Sequence, residues 1–305
     1  MFRLGTKLAF KPVGISRYLP VGISRYLPGI GAVRTLSEKK QDDPRGGAVS
    51  AGEDAISAKP VVKLKYQKAY SKVTMKEAEK RLGFRFRTFE QSAMSVEQML
   101  EEAKPEASQG LGDAEVQSLK ERIFLNIIDV ISSEGYPIDS DEDFKEAKVN
   151  DLVIFTILPI VTAFRNSTKK NVWLEREKEI ISVDHETGGF QEFVVIDWIG
   201  DFDHKFVFVV EAKKTSVGKA KRQCLLALKD MYEYNGGGVV YGFVTTGSEW
   251  QMVRLDKNGF AQTIAFYVVS QVMRTDKEKW MKDYSIIIDC VHTALKHGGM
   301  IAGEV

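Results

Sequence analysis

Cysteine is nearly missing from this chain: Cys224 and Cys290 are the only two in 305 residues. That excludes a disulfide framework and any cysteine-based zinc module. The four histidines (His185, His204, His292 and His297) are scattered, and no pair has a zinc-ligand spacing tied to further ligands. A surplus of one charge is missing too. The chain has 43 Lys and Arg against 42 Asp and Glu, a formal net charge of +1. Affinity for a polyanion must therefore come from local patches, not from a global field. Long hydrophobic runs are also lacking. "LVIFTILPIVTAF" (152–164) covers thirteen residues, contains Pro159 and reads as a buried helix, too short to span a bilayer. No membrane partner is expected. Acids are absent from residues 1–37, which carry six basic residues: Arg3, Lys7, Lys11, Arg17, Arg25 and Arg34.

What is present suits a globular protein. At 44% hydrophobic and 28% charged residues, the chain has enough apolar material for a core. The basic, Ser-containing, acid-free segment 1–37 has the composition of a mitochondrial transit peptide, which predicts a matrix address. A disordered basic tail would share that composition and leave the protein cytoplasmic or nuclear. "VGISRYLP" occurs twice in tandem (13–20 and 21–28), a duplication under little structural constraint. Residues 38–62 are polar, rich in Gly, Ala, Ser and Asp, and read as a linker.

A helical region is expected over 63–147. Thr74 followed by Glu77 is a capping box, Ser95 opens a second helix, and "DAEVQSLKERIFLNIIDVISSEG" (113–135) repeats apolar residues at helical spacing. The run containing 152–164 is a further helix packed on a sheet. Beyond Asn166 the period shortens. "NVWLEREKEIISVD", "FQEFVVIDWIG" and "KFVFVVEAKK" read as strands, the last two joined by a polar turn at "GDFDH". A helix ("VGKAKRQCLLALKDMYEYN"), a buried strand ("GVVYGFVTT") and the strands "EWQMVRLD" and "TIAFYVVSQVM" follow. The expected fold is α/β, an αβββαβ core at 148–270 with a mixed sheet flanked by helices. An N-terminal helical extension precedes it, and a C-terminal helix in 271–305 packs on it.

The hairpin carries charge where strands should be driest. Side chains alternate faces along a strand, so Glu211 and Lys213 share one face. Asp197 lies on the preceding strand and is expected within a register step or two of them. Ionisable groups buried there are costly unless they serve one another or a metal. Two carboxylates are a hard ligand set suited to Mg²⁺ or Mn²⁺, and a lysine beside them can position water and offset charge on a phosphate.

This pattern resembles the PD-(D/E)XK nuclease superfamily, with its restriction-endonuclease-like fold, and fungal or oomycete effector-type relatives. Asp197 matches the family's second-strand acid, and Glu211 and Lys213 match the acid and lysine of its third-strand motif, here "EAK". Gln223 stands where many members place a glutamine, and "VVYGFVTTGSEW" is similar to the strand and turn that follow. Ile196 stands where the signature has proline. The resemblance covers residues 148–256. It implies metal-dependent hydrolysis of phosphodiester bonds in DNA or RNA, with Asp197 and Glu211 as metal ligands and Lys213 and Gln223 completing the catalytic set. Asp201, in the turn, competes with Asp197. Asp151, Glu175 and Glu177 are candidates for a further acid, and His185 and His204 are expected to face solvent. Lys214, Lys219, Lys221 and Arg222 place basic charge beside the site, suited to a phosphate backbone. The basic, aromatic segment 63–87 is a second stretch of that kind. A catalytically inactive nuclease-like module that binds nucleic acid or protein is the alternative function.

Overall fold

The computed structural model describes residues 65–103, 110–138, 144–215 and 217–301. The basic segment 1–37 and the linker 38–62 lie outside the described residues.

Three short helices come first: α1 (Met75–Leu82), α2 (Phe86–Glu90) and α3 (Val96–Glu102). Thr74 and Glu77 form the expected capping box on α1, and the Ser95 hydroxyl accepts the Gln98 N–H at the start of α3. Before α1, the two-residue strand β1 (Lys68–Ala69) leads into a single 3-10 turn. Two long helices follow, α4 (Asp113–Ser133) and α5 (Glu146–Thr168). At 23 residues α5 is long and apolar enough for a bilayer, but half of its most apolar stretch is buried. Pro159 lies within it.

From α5 onward the order is α-β-β-β-α-β-β, as the periodicities indicate: β2 (Val172–Ile181), β3 (Thr187–Trp198), β4 (His204–Ala212), α6 (Val217–Tyr234), β5 (Val240–Thr245) and β6 (Glu249–Asp256). They build one mixed sheet. β3 pairs antiparallel with both β2 and β4, β4 runs parallel to β5, and β6 returns antiparallel on β5. The strand expected over "TIAFYVVSQVM" is mostly irregular. Within it the two-residue β8 (Phe266–Tyr267) pairs with β6, and just before it β7 (Gly259–Gln262) pairs with β6 as well.

Helices cover both faces. Phe193 and Val195 of β3 point into a core closed by α4, α5 and α8 (Ile286–His297), while Val194 and Ile196 point into a second core under α6, α1 and α2. Alternation along β3 therefore assigns each side chain to one layer. Gly242 of β5 lets α6 sit close, since a Cβ there would come within 2.5 Å of Cys224 Sγ. The C-terminal helix is not continuous. A one-turn α7 (Lys277–Lys279) passes into a π-turn, Trp280–Tyr284, before α8. Buried Trp280 donates to the Val268 carbonyl at 2.8 Å, anchoring that turn in the core.

Candidate active site

The "EAK" motif ends β4, and a cluster of charge gathers around its lysine. Lys213 Nζ pairs with Glu192 Oε1, with Glu146 Oε1 at 2.8 Å and with Glu211 Oε1 at 3.4 Å. Glu192 comes from β3, Glu146 from the first turn of α5, and Glu211 from β4. The backbone contributes as well: the Ala212 N–H donates to Glu192 Oε2 at 2.8 Å. Gln223, on the second turn of α6, donates through Nε2 to Glu211 Oε1 at 3.1 Å. The expected set of Glu211, Lys213 and Gln223 is therefore brought together.

Burial sets the electrostatics. Glu211 is 1% exposed, and its Oε2 has no hydrogen-bond partner among the described residues. Desolvation pushes its pKa up to about 8, against the pull of Lys213 and with help from the Glu192 charge. Burial also raises the Glu192 carboxyl, and Lys213 partly counters it. Burial by itself would lower the Lys213 pKa, but Glu211, Glu146 and Glu192 outweigh it and hold the ammonium charged.

Asp197 does not belong to this cluster. Phe193 pairs with Val210, whereas Asp197 pairs with Lys205, so Asp197 stands at the turn end of the hairpin. Five residues separate it from Glu192 along β3, about 16 Å at strand rise. Its parity is that of Phe193 and Val195, so it faces the α5 layer, and Glu211 shares parity with Val209 of the α6 layer. Burial raises its carboxyl, offset by Lys170 and Lys205. Asp201 lies in the turn at that same far end. The pairing register is what corrects the sequence expectation.

The other expected acids also lie elsewhere. Glu175 pairs with Lys178. Glu177 is exposed with left-handed backbone (φ 50), and Asp151 lies on α5 beyond Glu146. His204 is half-buried, not solvent-facing, its ring 5.1 Å from Trp198 and 5.3 Å from Tyr234. His185 is exposed and contacts the Lys65 carbonyl.

The expected basic surface divides. Lys219 is exposed on α6, and Arg222 and Lys214 are half-buried. Lys221 turns the other way: its side chain is 7% exposed and pairs with Glu90 of α2 at 2.7 Å. Helical azimuth separates it from Gln223, so it is withdrawn from any open surface beside the site. The 63–87 stretch is also largely absorbed. Tyr70 is buried and donates to Asp230, Lys68 pairs with Glu77, and Arg81 bonds Asp184, Glu186 and Asp230.

Two participants were missed, Glu192 and Glu146. Counting outward equally from the 200–204 turn puts Phe193 opposite Glu211. The irregularity at Val195/Ile196 shifts the register by one residue, and that shift, which carries no signal in the sequence, brings Glu192 to the motif. Glu146 carries no signal in the sequence beyond its place in a helix preceding the first long strand.

Among the described residues, no three His, Cys, Asp or Glu side chains form a ready-made metal-ligand group. The three carboxylates converge on the Lys213 ammonium. No protein-family model matches the chain, and no curated protein matches it.

Proposed function

We propose that the chain is a divalent-metal-dependent nuclease with a PD-(D/E)XK-type, restriction-endonuclease-like core, in which Glu192 takes the second-strand position first expected of Asp197. One observation carries this reading: Glu192 from the middle of β3, Glu211 and Lys213 from the end of β4, and Gln223 from the helix after it meet in one place. Such a buried charged cluster is expensive as pure architecture, and perturbed carboxyls of this kind concentrate at functional sites.

The donor set fits Mg²⁺ or Mn²⁺. Its ligands are hard carboxylate oxygens, and the buried, unpartnered Glu211 Oε2 is an acceptor that a cation would satisfy. Glu211 and Glu192 would hold it, with Glu146 within reach of the same ammonium. When bound, the cation supplies positive charge against the charge developing on the phosphoryl oxygens. Gln223 and the Ala212 N–H fix the two carboxylates in orientation. Lys213, released from its carboxylates, positions the attacking water and offsets negative charge in the transition state. Lys219 and Arg222 flank the approach as contacts to a phosphate backbone.

The test is incubation with labelled single- and double-stranded DNA and RNA in Mg²⁺, Mn²⁺ or EDTA. Metal-dependent cleavage supports the reading. No cleavage of any of these leaves a nuclease-like binding module, whose affinity for a strand would fall with salt. The proposed mitochondrial address is tested separately, by the location of a reporter fused to residues 1–45.

A further inference from the structure

The end of β3 remote from Lys213 carries a second polar concavity. Lys169 caps α5 with left-handed backbone (φ 60). The turn into β2 then arranges Arg165, Asn166, Lys169, Lys170 and Asn171 around a cavity of about 290 Å³. Three cations and two amides line it, and among the described residues no acid does. Trp173 stands at its side, 45% exposed, with the Arg165 guanidinium 3.8 Å from its ring centroid. Its Nε1–H donates to Asn171 Oδ1 at 2.8 Å, so Asn171 uses its acceptor on the ring and keeps its two amide donors.

Cations are favoured at a helix C-terminus by the helix dipole, which accounts for Arg165 and Lys169. Lys170 also acts on the Asp197 carboxyl, but neither effect accounts for two amides facing the same hollow as the three cations. Nor does either explain a tryptophan held in place by two polar groups yet left nearly half exposed, when Trp250 and Trp280 are fully buried. A concave set of donors recognises an anion, and a fixed, exposed ring recognises a flat group.

We propose that this pocket and Trp173 form an accessory site for an unpaired nucleic-acid strand, a backbone phosphate lying among the donors of residues 165–171 and an adjacent base stacking at Trp173. The strand is unpaired because ring faces are open to stacking only outside a duplex, and guanidinium planes stack on bases in the same way. The site lies beyond Asp197, more than the roughly 16 Å that separates Asp197 from Glu192 along β3. A strand held here would extend toward Lys213 without crowding it. This assignment rests on the nucleic-acid reading above for the kind of ligand, not for the chemistry.

The test is fluorescence anisotropy of labelled single-stranded DNA and RNA oligonucleotides bound to the full chain in EDTA, where no cleavage intervenes. Lys169→Ala with Lys170→Ala should weaken binding and make the slope of log affinity against log salt shallower by about 2. Lys169→Arg with Lys170→Arg should retain both. Trp173→Ala should weaken single-strand binding about tenfold, Trp173→Phe much less, and duplex binding should be unaffected by either. Thermal melts show whether each variant is folded, and the Arg and Phe variants carry the comparison if an alanine variant is not. Unchanged affinity and salt slope in the lysine pair overturn the proposal. So does competition by inorganic phosphate with no effect of Trp173→Ala, which reduces the pocket to a free-anion site. Strands bound through these residues but never cut in Mg²⁺ sink the nuclease reading alone. Cleavage with binding indifferent to these residues sinks the accessory site alone.

Discussion

Glu192 Oε2 accepts the Ala212 backbone N–H at 2.8 Å. That bond ties the β3 acid to the residue between Glu211 and Lys213, so the motif's backbone and its partner acid move as one piece. A carboxylate held this way has one oxygen committed to the strand and the other directed at Lys213. The relationship joins Glu192, and not Asp197, to the Glu211–Lys213 motif, and it leads to the first expectation.

Glu192→Gln should lower Mg²⁺-dependent cleavage by about 10²-fold or more, the scale of a lost charge-stabilising group. Asp197→Asn, remote and on the other face, should change it less than about threefold. Cleavage rates of the two variants on the same labelled strand decide the matter. Equal losses would return Asp197 to the site.

Lys213→Ala should reduce cleavage by about 10²-fold while strand affinity in EDTA stays near that of the unmutated protein. The variant also leaves Glu211 and Glu192 facing each other without an ammonium. Its melting temperature in EDTA should fall and should recover on addition of Mg²⁺. A variant that cuts at the original rate would remove Lys213 from the mechanism.

Lys219 and Lys221 are two positions apart in sequence and should behave differently. Lys219→Ala should make the salt dependence of strand binding shallower by about 1, as expected for one lost phosphate contact. Lys221→Ala should leave that slope unchanged and lower stability, because it strands Glu90 and opens a buried position on α6. Binding titrations at several salt concentrations, with thermal melts alongside, separate the two roles.

Metal-free stability should decline as pH rises from about 4.5 to about 8. Burial pushes the Glu211 carboxyl up to about 8 in the folded chain, against 4.5 for an ordinary glutamate. In that window the native state keeps a proton that the unfolded chain has released, so folding is favoured on the acid side and loses support as pH rises through 8. The contribution is at most about 1.4 kcal/mol per pH unit for one such group. Glu192, raised as well, acts in the same direction. Urea melts in EDTA across this range should show the decline, and Glu211→Gln should flatten it.

Asp230 is fully buried on α6 and joins Tyr70 Oη (2.7 Å), Thr187 Oγ1 (2.8 Å) and Arg81 Nη2 (2.9 Å). These bonds fasten the segment before α1, α1 itself and β3 to one helix. Asp230→Ala should cost about 3 kcal/mol, since it leaves buried donors unpaired, although Arg81 retains Asp184 and Glu186. Tyr70→Phe removes a single hydrogen bond and should cost about 1 kcal/mol. Denaturant melts of both variants check the ranking.

Much of the architecture was legible because it rests on local rules. Thr74 with Glu77 and Ser95 marked helix starts through backbone N–H groups that need acceptors. The strand order from α5 to β6 followed from the change of hydrophobic period. The residues after β7 were less legible: "TIAFYVVSQVM" has strand composition, but little of it finds a ladder partner, and Val268 and Val269 are buried outside any strand. In the site, Glu211, Lys213 and Gln223 could be placed from spacing along a single strand and a single helix.

The sequence by itself determined which segments become strands and helices, and that an acid and a lysine end β4 on one face, because alternation and capping act over a few residues. Tertiary structure alone decided which residues meet them. The β3–β4 register put Glu192 beside the motif and sent Asp197 to the far end. The packing of α5 carried Glu146 to Lys213, and the seating of α2 took Lys221 away to Glu90. Each of these depends on a long-range pairing or a helix azimuth. A one-residue change in either sends a side chain to the opposite layer, while the local pattern that specifies the element stays the same.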